Sequence, residues 1–120
     1  MNYSYEKSDL VGNYEVIFVA EIEDEDIADK NITISFNEDG KVNGNNSCNN
    51  YGGNYHVNKN KLSFGMMKST RKFCQENAEI ETTFMQNLTE VDSFKIHKDV
   101  LILLRGETQV IEAKRVLGKD

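Results

Sequence analysis

Apolar residues return along this chain at two different periods, and where the period changes limits the fold more than any single motif. Over residues 75–91, Ile80, Phe84, Leu88 and Val91 recur every third or fourth position, with Glu79, Glu81, Gln86 and Glu90 between them. That spacing predicts an amphipathic helix of about four turns with one apolar stripe. Elsewhere the period is two. Ile32, Ile34 and Phe36 alternate through residues 32–36, and the chain returns along 41–44 after an Asn-Glu-Asp-Gly turn at 37–40. By the same reasoning 51–57 pairs with 61–66 across 58–60, and 93–97 with 100–105 through Lys98 and Asp99. The first and last strands fall at 14–20 and 109–115. Residues 100–104 are apolar at every position, which predicts a strand buried on both faces at the centre of the core.

One helix inserted into a run of strands that then resumes predicts an α+β fold. The form expected is a small antiparallel β-sheet or partly open barrel with the amphipathic helix packed against it, its stripe serving as core. Proline is absent, so turns rest on Asn, Asp and Gly at 37–40, 43–50, 52–54 and 58–60, residues that tolerate positive φ. With no linker composition and no internal repeat, residues 1–120 are expected to form a single domain around one core.

Charge and hydropathy exclude several classes. Fourteen basic against twenty acidic residues give a net charge of -6, which repels a phosphate backbone, so no nucleic acid is expected as partner. No apolar run approaches the roughly 18 residues that a membrane span needs. Residues 1–10 carry one cation, Lys7, and no apolar stretch, so they cannot act as a secretory signal. The chain is then either cytosolic or has lost its signal segment, with any lipid anchor lying ahead of these residues.

Reactive constellations are sparse. No nucleophile elbow, zinc-protease helix, P-loop or dinucleotide fingerprint occurs. Cys74 lies just before the predicted helix and after Arg71 and Lys72, where a thiol pKa is lowered, although a buried or bonded cysteine is the simpler reading. Cys48 and Cys74 suit one disulfide, two free thiols or half of a metal site, and His56 and His97 lie far from both in sequence. The acidic run 21–26 with Asp29 lacks the glycine of a calcium loop. The series Ser35, Asn37, Asp39 and Gly40 has Asn46 where a bidentate carboxylate would be required. Both read as solvated turns, and no catalytic residue, cofactor or metal is expected. Tyr51 and Tyr55 share one strand face, where they either line a cleft or pack against the helix.

The stretch Gly44-Asn45-Asn46-Ser47-Cys48-Asn49-Asn50-Tyr51-Gly52-Gly53-Asn54-Tyr55 resembles the G-x-x-G-C-N-x-[FY]-x-G-x-Y signature of the META domain, or HslJ-like, family. Lys61-Leu62-Ser63-Phe64-Gly65 and Ser69-Thr70-Arg71-Lys72-Phe73-Cys74 resemble that family's K-L-T-F-G and S-T-R-M-A-C blocks, and Glu81 and Phe84 fall at its E-x-x-F. The likeness runs over about residues 12–114. It marks Gly44, Asn49, Tyr51, Gly53, Tyr55, Ser69, Thr70 and Arg71 as signature positions. Two departures are Tyr14 for the usual Trp and Ser47 for a glycine, the latter asking a residue with a Cβ to take a glycine-like backbone.

The resemblance implies a non-enzymatic envelope-associated or secreted protein, a binding or structural module linked to heat stress or drug tolerance, with no catalytic residues. It also implies a disulfide between Cys48 and Cys74. The expected location is the cell envelope, periplasm or exterior, and the cytoplasm if the cysteines are free. The expected partner is an unknown protein or a small apolar ligand. A lipocalin-like carrier holding that ligand between sheet and helix is the alternative function, and a thiol-dependent redox enzyme would need Cys74 free.

Overall fold

In the computed structural model, which describes residues 5–116, every strand pairing is antiparallel. Of the N-terminal stretch considered above, residues 1–4 lie outside the described residues. The strands are β1 (Gly12–Val19), β2 (Thr33–Phe36), β3 (Lys41–Asn45), β4 (Asn50–Asn58), β5 (Lys61–Phe64), β6 (Lys68–Ser69), β7 (Ser93–His97), β8 (Val100–Arg105) and β9 (Thr108–Arg115). Single helical turns α1 (Lys7–Leu10) and α2 (Asp24–Ile27) flank β1, and α3 (Ala78–Thr89) separates β6 from β7.

The pairing order β3-β2-β1-β9-β8-β7-β5-β4 closes into a ring because β4 also pairs with β3, while β6 lies along β4 beyond β5. The three hairpins read from the sequence are all present. Closure depends on a thin seam: β5 meets β7 at Lys61 and Ser93, with Leu62 N donating to Asp92 O and Phe94 N to Asn60 O. A register shift between Val16 and Phe18 lets β1 bend around the ring, as bulges do.

Inside the ring lie Tyr14, Phe36, Phe94, Leu101, Leu103 and Ile111, all fully or almost fully buried. Each such side chain contributes about 1.5–3 kcal/mol of transfer free energy. Phe84 and Leu88 of α3 complete this core, whereas Ile80 is half-buried. The helix is shorter than its apolar period suggests. Residues 75–77 form a 3-10 turn, since Cys74 is fixed at its start, and Val91 is buried just past the helix end.

Two expectations are corrected. β8 is not buried on both faces: Leu101 and Leu103 are enclosed, while Val100, Ile102 and Leu104 are half-buried. A ring has one interior, so a strand in its wall buries alternate residues. The acidic run is not wholly a solvated turn either, because its second half forms α2 and buries Ile27.

One end of the ring is closed by a polar clasp. The Tyr14 hydroxyl donates to Leu10 O (2.8 Å) and accepts from Arg115 Nη2 (2.8 Å), and the guanidinium lies over the Tyr14 ring. Arg115 also donates to Val11 O and Asp9 O, which ties α1 down onto β9. A phenol at position 14 therefore supplies an aromatic plug and a hydrogen-bonding tip together.

Candidate functional site

The Asn-rich segment between β3 and β4 folds on its own side chains. Asn45 Oδ1 accepts from Ser47 N (2.9 Å), and Asn46 Oδ1 accepts from Asn49 N (2.8 Å) and Cys48 N (3.3 Å). Such short amide-to-backbone bonds are what make Asn a turn former. Ser47 at the apex takes φ 89°, the conformation expected to favour glycine, and its Oγ is buried with no partner among the described residues.

Asn49 is the hub of this end, and it is 4% exposed. Its Nδ2 donates to Lys72 O (2.9 Å) and to Glu81 Oε2 (3.0 Å). Its Oδ1 accepts from Thr70 Oγ1 (2.8 Å) and Lys72 N (2.8 Å). All four hydrogen-bonding positions of the amide are filled, so one side chain holds the 70–72 backbone as a neighbouring strand would and links it to α3. Thr70 adds a bond from its N to Asn50 O, and Asn46 Nδ2 reaches Ser69 Oγ (3.4 Å). The disulfide Cys48–Cys74 closes the same clasp covalently, with Cα atoms 5.9 Å apart.

The remaining signature residues serve the walls. Tyr51 points inward, sets its ring edge-on to Phe84 of α3, and donates from its hydroxyl to Thr33 O (2.7 Å). Burial pushes its phenol pKa well above the ordinary tyrosine value. Tyr55 shares that face but packs on Phe36 instead of the helix and donates to Asn37 O (2.6 Å). Neither lines a cleft. A Cβ on Gly44 would lie 2.1 Å from Thr33 O, and one on Gly53 2.8 Å from Met66 O, so both positions need glycine for close backbone approach.

What the clasp holds in place is an exposed strip. Residues 66–73 border an open depression of about 790 Å³ between β6 and the start of α3, with Asn49 and Glu81 on its inner side. Met66 is 82% and Phe73 77% exposed, and Lys68, Arg71 and Lys72 face solvent between them. Among the described residues the only ion pair joins Arg105 to Glu90, so these three cations have no carboxylate within salt-bridge reach. Arg71 thus sits in the depression with Asn49, Ser69 and Thr70, whereas Gly44, Tyr51, Gly53 and Tyr55 do not.

Sequence reasoning gave Asn46, Met66 and Phe73 no role at a site and noted Glu81 only as a family position on the helix. Asn46 sits in a run where neighbouring asparagines look alike, and no pattern announces that two apolar side chains beside a cationic stretch stay in solvent. With Cys74 bonded to Cys48, the thiol required for redox chemistry is already oxidised. Among the described residues no group of three or more His, Cys, Asp or Glu converges as metal ligands would.

The family model for the META domain matches residues 8–116. The fold is similar to that of a Burkholderia xenovorans protein determined by NMR, at 20% identity and TM-score 0.70 over 98% of this chain and 93% of that one. It is also similar to a DUF4847 family protein from Bacteroides vulgatus, at 14% identity and TM-score 0.65 over 90% and 94%. No curated protein matches the chain.

Proposed function

The chain belongs to the META domain family, and on that premise we propose that it is a non-enzymatic binding module of the cell envelope or exterior, with the 66–73 strip as its interaction face. Residues 1–120 are read as one such domain. The observation that carries the proposal is where the signature residues do their work: Asn49, Thr70, Cys48 and Cys74 rigidly hold a strip that leaves Met66 and Phe73 bare. Holding exposed apolar side chains in fixed positions adds nothing to folding, but it lowers the entropy cost of binding.

The disulfide is compatible with an oxidising periplasmic or extracellular compartment. No helix among the described residues is long and apolar enough to cross a membrane. A lipocalin-like carrier has less support, since Tyr51, Phe84 and Leu88 fill the space between α3 and the sheet and are each at most 3% exposed. We further connect the module with tolerance of heat or antibiotic stress, as its family membership suggests.

The test is complementation of a strain lacking the gene under heat or antibiotic challenge. Phe73→Ser is expected to keep the thermal midpoint within about 3 °C, because an exposed residue contributes little to stability. The same variant should lose tolerance. Full tolerance with this variant would remove the strip as the interaction face.

A further inference from the structure

We infer that the partner of the 66–73 strip is an anionic lipid surface, a step that rests on the strip being the interaction face. Its foundation is a division of charge along the chain. Residues 40–75 contain six of the fourteen cations, Lys41, Lys59, Lys61, Lys68, Arg71 and Lys72, and none of the twenty acidic residues. The rest of the chain therefore holds eight cations against all twenty acids, a net charge of -12 beside a segment of +6.

That segment occupies adjacent strands, with Lys68, Arg71 and Lys72 near one end of β4 and Lys59 and Lys61 at the other. It comprises β3, β4, β5, β6 and the strip, and all six cations are exposed. Lys41 and Lys68 border a second shallow depression over Gly52 and Gly53, which joins the first through Met66 and Lys68. Of the acids near this segment, Asp39 accepts from Lys41 N, Glu81 accepts from Asn49 Nδ2, and Asp92, beside Lys61, accepts from Gly106 N. An acidic protein so divided turns its cationic side toward a negative surface and is repelled everywhere else.

Met66 and Phe73 choose a lipid surface over an acidic peptide. Both side chains stand in solvent on the border of the open depression rather than buried in its floor. Projecting apolar residues flanked by lysine and arginine suit the headgroup boundary, where the apolar parts enter the acyl region and the cations stay with the phosphates.

Co-sedimentation of the intact disulfide-bonded protein with vesicles of phosphatidylglycerol and phosphatidylethanolamine tests this, with phosphatidylcholine vesicles as the neutral reference. Binding is expected to the anionic vesicles alone and to weaken as salt rises. The triple variant Lys68→Gln, Arg71→Gln, Lys72→Gln should lower the partition on the order of a hundredfold, from about fivefold per cation. Phe73→Ser should lower it about tenfold. The equal-charge control Lys95→Gln, Lys98→Gln, Lys114→Gln should change it severalfold at most. Equal losses in both triple variants would overturn the inference, as would binding that ignores Phe73→Ser. Absence of vesicle binding while Phe73→Ser still abolishes tolerance would exclude lipid and leave the interaction face standing; a silent Phe73→Ser in cells would remove both.

Discussion

Around Phe36, Leu101, Leu103 and Ile111 the molecule is held by apolar side chains that touch one another inside the ring, whereas around Asn46, Cys48 and Asn49 it is held by amide hydrogen bonds and one covalent link. The first region asks its residues for volume and hydrophobicity, which several side chains can supply. The second asks for donors and acceptors at fixed places, since a buried amide left unmatched carries its full desolvation cost. This is why the second region is recognisable as a motif and the first only as a period.

The comparison can be broken most forcefully at Phe84, where the two regions meet through Tyr51. Phe84→Ala should cost about 3–5 kcal/mol in denaturant titration, because the residue is wholly buried and the cavity cannot close around it. A loss under about 1 kcal/mol would mean that α3 is not part of the apolar region. Next in size is the covalent link. Replacing Cys48 and Cys74 together with Ser should lower stability by about 3–4 kcal/mol, the chain-entropy value for a separation of 26 residues. Thiol labelling of the unfolded wild-type protein without reductant should find no free cysteine, and two reactive thiols would move the protein toward the cytoplasm.

Asn49→Ala comes third, at about 2–3 kcal/mol. It leaves Lys72 N and O, which the amide satisfies in pair, with no partner from that side chain. Hydrogen exchange should rise over residues 70–74 ahead of the ring strands, and uniform loosening of both regions would erase the distinction drawn between them. The smallest effect has the opposite sign. Ser47→Gly should stabilise by about 1 kcal/mol, since it relieves a positive φ and removes a buried hydroxyl that has no partner. Destabilisation by thermal unfolding would show that Ser47 Oγ has a role in the turn.

Legibility divided along the same line. Phe84 and Leu88 were readable as core because a helix repeats every 3.6 residues whatever surrounds it, and the hairpin at 37–40 because Asn-Glu-Asp-Gly forms a turn locally. Val100, Ile102 and Leu104 were misread because an unbroken apolar run does not say whether the strand lies in a stacked sheet or in the wall of a ring. Asn46 and Asn49 lie among four asparagines within residues 45–50, and only their nearness to Ser69, Thr70, Lys72 and Glu81 in the folded chain separates the buried pair from the rest.

The sequence by itself determined the three antiparallel hairpins, the first and last strands, the placement of the one long helix and the turns rich in Asn, Asp and Gly, because each of these depends on residues a few positions apart. Tertiary structure alone decided that β3 returns to β4 and β5 meets β7 to close the ring, that the clasp grips residues 70–74, and that Met66 and Phe73 remain in solvent beside a cationic face. Those outcomes follow from contacts between distant segments, where packing and hydrogen-bond satisfaction of the whole chain select among arrangements that local preference leaves equal in energy.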